Sequence, residues 1–492
     1  MTDSVDTVLV GGAVITMDSE RRVLDPGAVA VSDSRIVAVG ERERILAEHS
    51  DAAQVDLGGT VLLPGLVDSH GHAGHGLTKN LTTGNPFDWL DVVSDVYFRT
   101  SDESFWRAES YLAALEHIEN GVTTSISFPG SQPRTDDPKF AVAAAEGYAE
   151  LGLRHIVAIG PPAAPFPQEC IDVETGSATD VDLDHSLRTA DEAIDRLHGT
   201  ADGRLSAYVG PSSLVPEAEV DGEPSLVGLG GDGIASGEGT ASDLSKRQLD
   251  GVIELAETHD VPIHTHAYAG MIALAAEARP EVLSPRLSLA HCAGVDEHEM
   301  ELMADNGVSA SHGPLTHAYV TKRFPVIEAM ERGVNVAIST DGAGPDRSFD
   351  LLSQGRIAAQ LQRTHFNDST LLPAGRILEM MTIDAARALD LHDEVGSLEP
   401  GKRADVIALD LESARLRPRF SLVDRVVSYA QGSDVTFVMV DGETLLRDRS
   451  FDDIDVRRIL ENADDAAVEA VERAGHEDAL RSHPGWGTIR YE

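Results

Sequence analysis

Leu63-Pro64-Gly65-Leu66-Val67-Asp68-Ser69-His70-Gly71-His72 is the stretch on which the reading of this chain turns. An apolar run, Val61 to Asp68, ends in a polar group with two histidines two residues apart. Residues so spaced on a strand point the same way, so His70 and His72 can share one metal ion. Seven further short apolar runs follow, at Val122 to Phe128, His155 to Gly160, Leu205 to Gly210, Val261 to His266, Leu287 to Cys292, Val308 to Gly313 and Val334 to Asp341. Between them lie Ala-, Leu- and Glu-rich segments of helical spacing. Eight β-then-α units close a (β/α)8 TIM barrel of the α/β class, with an open doubly wound sheet as the competing architecture. Several runs carry polar residues at their C-terminal ends, where barrel enzymes place their chemistry.

The flanks read differently. Thr7 to Thr16, Ala28 to Val31 and Arg35 to Val39 are β-rich and separated by Gly, Asp and Ser, as are Val395 to Asp410 and Asp434 to Leu446. Each set is too small to stand alone. The expected organisation is therefore 1–60 as the N-terminal part of a small composite β-sandwich, 61–394 as the barrel, 395–448 as the C-terminal part of the sandwich, and 449–492 as an acidic helical tail. Ser212 to Ser242, rich in Gly, Pro, Glu and Asp, follows the fourth run as a long loop, read either as a lid over the barrel or as a solvated insertion.

The 492 residues include 83 acidic and 39 basic side chains, a formal charge of −44, and 42% hydrophobic residues. No run approaches 18 apolar residues, so no membrane span is expected. The negative field repels phosphate backbones and anionic headgroups, which excludes nucleic-acid and membrane-surface binding as functions. Only five basic residues are lysines (Lys79, Lys139, Lys246, Lys322, Lys402), a halophilic composition in which molar salt screens self-repulsion over roughly 3 Å. Two cysteines, Cys170 and Cys292, form no disulfide framework, and the sequence shows no signal-peptide pattern; a cytoplasmic setting is expected.

Further donors stand at the ends of later runs. The fifth ends Ile263-His264-Thr265-His266, the sixth Leu289-Ala290-His291-Cys292, and the eighth Ile338-Ser339-Thr340-Asp341-Gly342-Ala343. His266 is nearer the rim than His264, which is read as a hydrogen-bonded core histidine. His70, His72, His266 and Asp341 suit a catalytic metal with an open position for water. A divalent ion there lowers the pKa of its bound water toward neutrality, giving a hydroxide that attacks the substrate. Asp341 would take that water's proton and deliver it to the leaving group, with His291 either hydrogen-bonding the oxygen being attacked or carrying a proton. His75, in the loop after His72, is a candidate substrate contact. Trp89, Phe98 and Trp106 are read as packing residues.

Beyond these residues, the opening Val8-Leu9-Val10-Gly11-Gly12, Gly121-Val122-Thr123-Thr124, Val334 to Gly342 and Gly396-Ser397-Leu398-Glu399-Pro400-Gly401-Lys402-Arg403-Ala404-Asp405 complete a pattern spanning nearly the whole chain. It resembles the amidohydrolase superfamily, in the branch of S-adenosylhomocysteine and methylthioadenosine deaminases, triazine chlorohydrolases and cytosine deaminase-like enzymes. The resemblance implies a metal-dependent hydrolase of non-peptide carbon–nitrogen bonds in a small heterocycle or cyclic amide. It carries His70, His72, His266 and Asp341 over as ligands and His291 as a catalytic or substrate-binding histidine. It also implies a homo-oligomer, dimer or tetramer, with a small-molecule substrate. Binuclear relatives bridge their metals with a strand lysine; no lysine lies in the eight runs, so one ion is expected, zinc first, iron or manganese otherwise.

One departure stands out. The deaminase pattern His-x-x-Glu becomes His266-Ala267-Tyr268-Ala269, without the proton-shuttling glutamate. Tyr268, His312 and His317 are the candidates to replace it or to line the pocket. Hydrolysis of an amide, as in imidazolonepropionase and prolidase-like relatives, is the alternative activity, and a catalytically silent binding barrel the alternative class.

Overall fold

The computed structural model describes residues 5–82, 86–227, 239–481 and 486. Eight parallel strands form its central sheet in sequential order: β1 (Leu66–Asp68), β2 (Val122–Pro129), β3 (Arg154–Ile159), β4 (Leu205–Val209), β5 (Ile263–Tyr268), β6 (Leu287–Ala293), β7 (Ser309–His312) and β8 (Asn335–Ile338). All eight expected runs carry a barrel strand. The sheet curls until β8 faces β1, and the seam is closed mainly through side chains, with one backbone bond, rather than by a ladder. The Asp68 carboxylate accepts from the backbone N–H of Thr340 (3.0 Å) and from its hydroxyl, Ser69 Oγ donates to the Ile338 carbonyl (3.1 Å), and Asp341 N–H donates to the His70 carbonyl (3.1 Å). The seam therefore ties the first metal-ligand candidate to the last.

One expected run is two strands. Val61 to Asp68 divides at Gly65: Ala53–Pro64 belongs to another sheet, and only Leu66–Asp68 enters the barrel. A side chain at Gly65 would put its Cβ 1.9 Å from Thr123 Oγ1, so the close approach to β2 requires glycine at this corner. Ala53–Pro64 pairs in parallel with Thr7–Ile15 and antiparallel with Val406–Asp410, and so joins both ends of the chain in one eight-stranded sheet. On one face Leu9, Val29, Val31 and Leu62 pack with Val406, Ala408, Phe437 and Met439; the alternate residues Ile15, Val61, Leu63, Ile407 and Leu409 join the barrel core. Of Val395 to Asp410, only Val406–Asp410 is strand.

Polar N-caps start the outer helices. Asp102 accepts from Phe105 N–H, Asp182 from His185 N–H and Asp350 from Ser353 N–H, satisfying donors that the first helical turn leaves unpaired. Asp296 and Glu299 form a capping box, and the Glu299 carboxylate also accepts from Gly270 N–H (3.0 Å) and Ile272 N–H (2.9 Å). Burial raises its pKa despite those bonds. This pins the turn after β5, just beyond His266 and Tyr268.

The long loop after β4 is not featureless. Glu217–Val220 and Glu223–Leu226 form a hairpin that Thr240–Ala241 extends, while residues 228–238 of the expected loop lie outside the described residues. The tail contains the expected helix, Val456–Arg473, whose Ala463, Ala470 and Val471 pack against Phe105, Trp106 and Phe140; 482–485 and 487–492 lie outside the described residues. Trp106 and Phe98 are buried packing residues, as read; Trp89 is buried too but also lines the cavity described below. Among the described residues no helix is long and apolar enough to cross a membrane.

Candidate active site

Five imidazoles and one carboxylate meet at the C-terminal mouth of the barrel. His70 and His72 follow β1, His264 and His266 project inward from β5, His291 lies near the end of β6 and Asp341 follows β8, and every one is buried. His291 reaches the cavity against strand alternation. Ser288 faces inward, where its hydroxyl meets His264 Nδ1 at 2.6 Å, so residue 291 should point outward. A bulge against β5 and positive φ at His291 (66°) and Cys292 (49°) turn it in. Asp341 also has positive φ (59°); strained backbone of this kind clusters at functional sites.

The hydrogen-bond partners fix which nitrogen each ligand candidate offers. His72 Nδ1 donates to the Gly130 carbonyl (2.8 Å) and His266 Nδ1 to the Ser212 carbonyl (2.7 Å), because a carbonyl can only accept. Both Nε2 atoms are therefore bare lone pairs, and they face each other at 3.3 Å. His70 Nδ1 pairs with His264 Nε2 (2.9 Å), whose own Nδ1 meets Ser288, so a proton on each Nδ1 leaves His70 Nε2 free, 3.1 Å from Asp341 Oδ1. Asp341 Oδ1 is also 3.3 Å from His72 Nε2 and 3.7 Å from His291 Nε2. Such lone pairs repel one another without a cation among them. Two nitrogens each about 2.0–2.1 Å from a tetrahedral zinc are separated by about 3.3 Å, so the donor set fits such an ion. His70, His72 and His266 place one ligand atom each within 4.8 Å of one another, as do His70, His291 and Asp341.

Electrostatics keeps these groups in ligand form. Burial pushes the pKa of His70 down to about 3 and holds His266 well below the usual imidazole range, so both are neutral. Burial alone would raise Asp341, but the Arg347 guanidinium and His291 outweigh it and hold the carboxyl well below its ordinary value. Arg347 Nη1 stands 3.3 Å from Asp341 Oδ2, and the Thr316 hydroxyl, itself accepting from Arg347, donates to the same oxygen.

A cavity of about 540 Å³ opens above this cluster, lined by His72, His266, His291, Asp341 and Arg347 at its floor. His75 and Tyr268 line it as well: His75 stacks on His72 at 4.8 Å and its Nε2 meets Ser131 Oγ at 3.0 Å, while Tyr268 lies over His291 at 5.8 Å. His312 and His317 do not line this cavity, although the His317 ring lies 5.7 Å from that of His291. Ser311 points into the barrel, so its neighbour His312 points outward, and both histidines line a separate cavity beside Phe324 and Arg323. Sequence reasoning missed Arg347 and Thr316, which sit in irregular or short segments where no periodicity marks them. It also missed that His264, besides being buried, orients His70; the signal was its place two residues before His266.

Residues 61–445 match the amidohydrolase family, and residues 27–52 match an imidazolonepropionase-like composite domain of bacteria. The chain is 29% identical over 461 residues, 93% of its length and 96% of the relative's, to a 5-methylthioadenosine/S-adenosylhomocysteine deaminase of Syntrophobacter fumaroxidans. It is 27% identical over 484 residues, 95% and 98% of the two chains, to a 5'-deoxyadenosine deaminase of Methanococcoides burtonii. Its fold is similar to that of a zinc-bound adenosine deaminase from Xanthomonas campestris, with a TM-score of 0.77, 24% identity and coverage of 95% and 98%. It is likewise similar to atrazine chlorohydrolase from Arthrobacter aurescens, with a TM-score of 0.75, 22% identity and coverage of 94% and 100%. A barrel with clustered histidines at its mouth, a sheet shared by both termini and a family match over most of the sequence agree: the chain belongs to the amidohydrolase family and is a hydrolase.

Proposed function

We propose that this protein hydrolyses a carbon–nitrogen bond in a small heterocycle, releasing an amine or ammonia, with one divalent ion, zinc foremost and iron or manganese as alternatives, held by His70, His72, His266 and Asp341. The observation that carries the reading is the convergence of bare Nε2 atoms and Asp341 Oδ1 on one point at the floor of the cavity. A bound ion of this kind supplies Lewis acidity that lets water ionise near neutral pH. The deaminases and the chlorohydrolase to which the chain is similar support the substrate class.

The protein's own groups divide the proton traffic. Asp341 is ionised and its Oδ2 is held by Arg347 and Thr316, which leaves Oδ1 as the oxygen that accepts the proton of the attacking water. His291, 3.7 Å from that oxygen and with Nδ1 unpartnered, can present either nitrogen to the substrate. Ala269 occupies the place of the deaminase glutamate. Apart from Asp341, Asp91 is the one carboxylate among the described residues lining the cavity, and it is exposed. Protonation of the leaving nitrogen therefore falls to Asp341 and His291.

Opening of a cyclic amide is the second reading, favoured by the glutamate-free His266-Ala267-Tyr268 and by the imidazolonepropionase-like match at 27–52. The test is a screen of purified, metal-loaded protein for ammonia, amine or chloride release from nucleosides, nucleobases, triazines and pterins, beside ring opening of cyclic amides. Ring opening without release from any aminoheterocycle would replace the first reading with the second.

A further inference from the structure

We infer that the cavity selects neutral or cationic substrates bearing an apolar substituent and rejects those bearing a carboxylate or phosphate; this rests on the proposed reading of the cavity as the substrate site. The inference comes from an inventory of its charges. Among the described residues lining the cavity, the charged side chains are Asp91, Asp341 and Arg347. The single cation is already committed. Arg347 Nη1 serves Thr316 and Asp341, Nη2 donates to the Gly344 carbonyl, and Nε, though without a hydrogen-bond partner, is buried out of reach of solvent. An anionic substituent held at the mouth, away from the ion proposed at the floor, would find no solvent-accessible cationic donor among the described residues lining the cavity, and it would have to leave water beside Asp91, which makes no ion pair among the described residues.

The mouth supplies the second half of the argument. Phe87, 45% exposed, and Leu226, 55% exposed, lie on different segments, the helix Pro86–Asp95 and the hairpin strand Glu223–Leu226, yet both line the same opening. Large apolar side chains left this exposed at a cavity rim gain most when a ligand covers them. A reacting ring at the histidine floor thus leaves its substituent against Phe87 and Leu226 and near Asp91.

The test uses calorimetric binding to the metal-loaded protein with two matched probe series. One consists of amino-s-triazines carrying ethylamino, 2-aminoethylamino or carboxyethylamino groups; the other pairs 5'-methylthioadenosine with S-adenosylhomocysteine. In a series that binds, the neutral or cationic member is expected to bind at least about tenfold more tightly than the carboxylate-bearing one, at the lowest salt that retains the fold. Asp91→Lys, on an exposed helix face, should narrow that gap several-fold. The Phe87→Ala, Leu226→Ala double variant should weaken the ethylamino compound while leaving the unsubstituted ring unchanged. Equal or tighter binding of the carboxylates, a gap that Asp91→Lys leaves in place, or no binding in either series overturns the inference. Selective binding without turnover supports it and sinks the proposed reaction alone; turnover without charge preference does the reverse.

Discussion

Arg347 and Asp341 meet at 3.3 Å on the carboxylate oxygen that does not face the histidine cluster. The guanidinium and the Thr316 hydroxyl hold Oδ2, so the carboxylate cannot rotate freely and Oδ1 stays aimed at His70, His72 and His291. A proton carrier in this setting works by short transfer from a fixed position rather than by swinging between water and leaving group. Supporting contacts of this type around metal ligands commonly matter about 10–100-fold in affinity or activity. Arg347→Met should therefore lower turnover within that range and weaken metal retention, read by kinetics and by metal titration; unchanged values for both would show the pair to be decorative.

Asp341→Asn removes the proposed proton acceptor together with the charge of a proposed ligand. Activity should fall by at least about 10²-fold, the lower end for general acid–base catalysis. His291→Ala should keep its metal content and lose turnover, because this histidine is assigned to the substrate. If His291→Ala lost the metal instead, its 3.7 Å approach to Asp341 would have to be read as ligation.

Installing the missing glutamate asks whether the site is a deaminase lacking one part. Ala269→Glu is expected to give no new adenosine deamination, since Ala269 is partly exposed and is not among the residues that line the cavity. Strong adenosine deaminase activity in the unaltered protein would show that residue 269 does not discriminate.

Acid should destabilise the fold through buried neutral histidines. Burial lowers the pKa of His317 to about 4 and that of His312 well below the imidazole range, against about 6.5 in an unfolded chain. As pH falls from about 6.5 through 4, the unfolded state takes up protons that the native His317 refuses, so stability present above 6.5 is lost across that window. The urea midpoint should drop between pH 7 and pH 4.5, and His312→Leu, which removes one such group beside Phe324, should flatten the drop. A His312→Leu curve parallel to the wild type would remove this residue from the explanation.

Salt acts on the same fold through its surface. With 83 acidic and 39 basic side chains, dilution from molar salt to about 0.1 M lengthens the Debye screening distance to roughly 10 Å and lets carboxylates repel. The melting temperature should fall on dilution of KCl; a flat or rising value would refute the halophilic reading of the composition.

Much of this architecture was legible because the barrel writes itself as short apolar runs with chemistry at their C-terminal ends, and His70, His72, His266, His291 and Asp341 each sit at such an end. What stayed hidden had no periodic signature. The division of Val61 to Asp68 between two sheets turns on one contact, Gly65 against Thr123, that only the folded chain brings about. His312, a candidate to replace the missing glutamate or to line the pocket, is sent by strand parity to the other side of β7, where it lines a separate cavity, whereas His291 escapes its own parity through a bulge. Arg347 belongs to no regular element, and its role exists only once the loop after β8 folds back over Asp341.

The most direct test is elemental analysis of the purified protein beside His72→Ala and His266→Ala. About one divalent ion per chain is expected in the wild type, with zinc, iron or manganese accounting for it, and strong loss in each variant while the fold is retained by circular dichroism. No bound metal in the wild type after reconstitution, or full metal content in variants lacking either facing Nε2, would contradict the account.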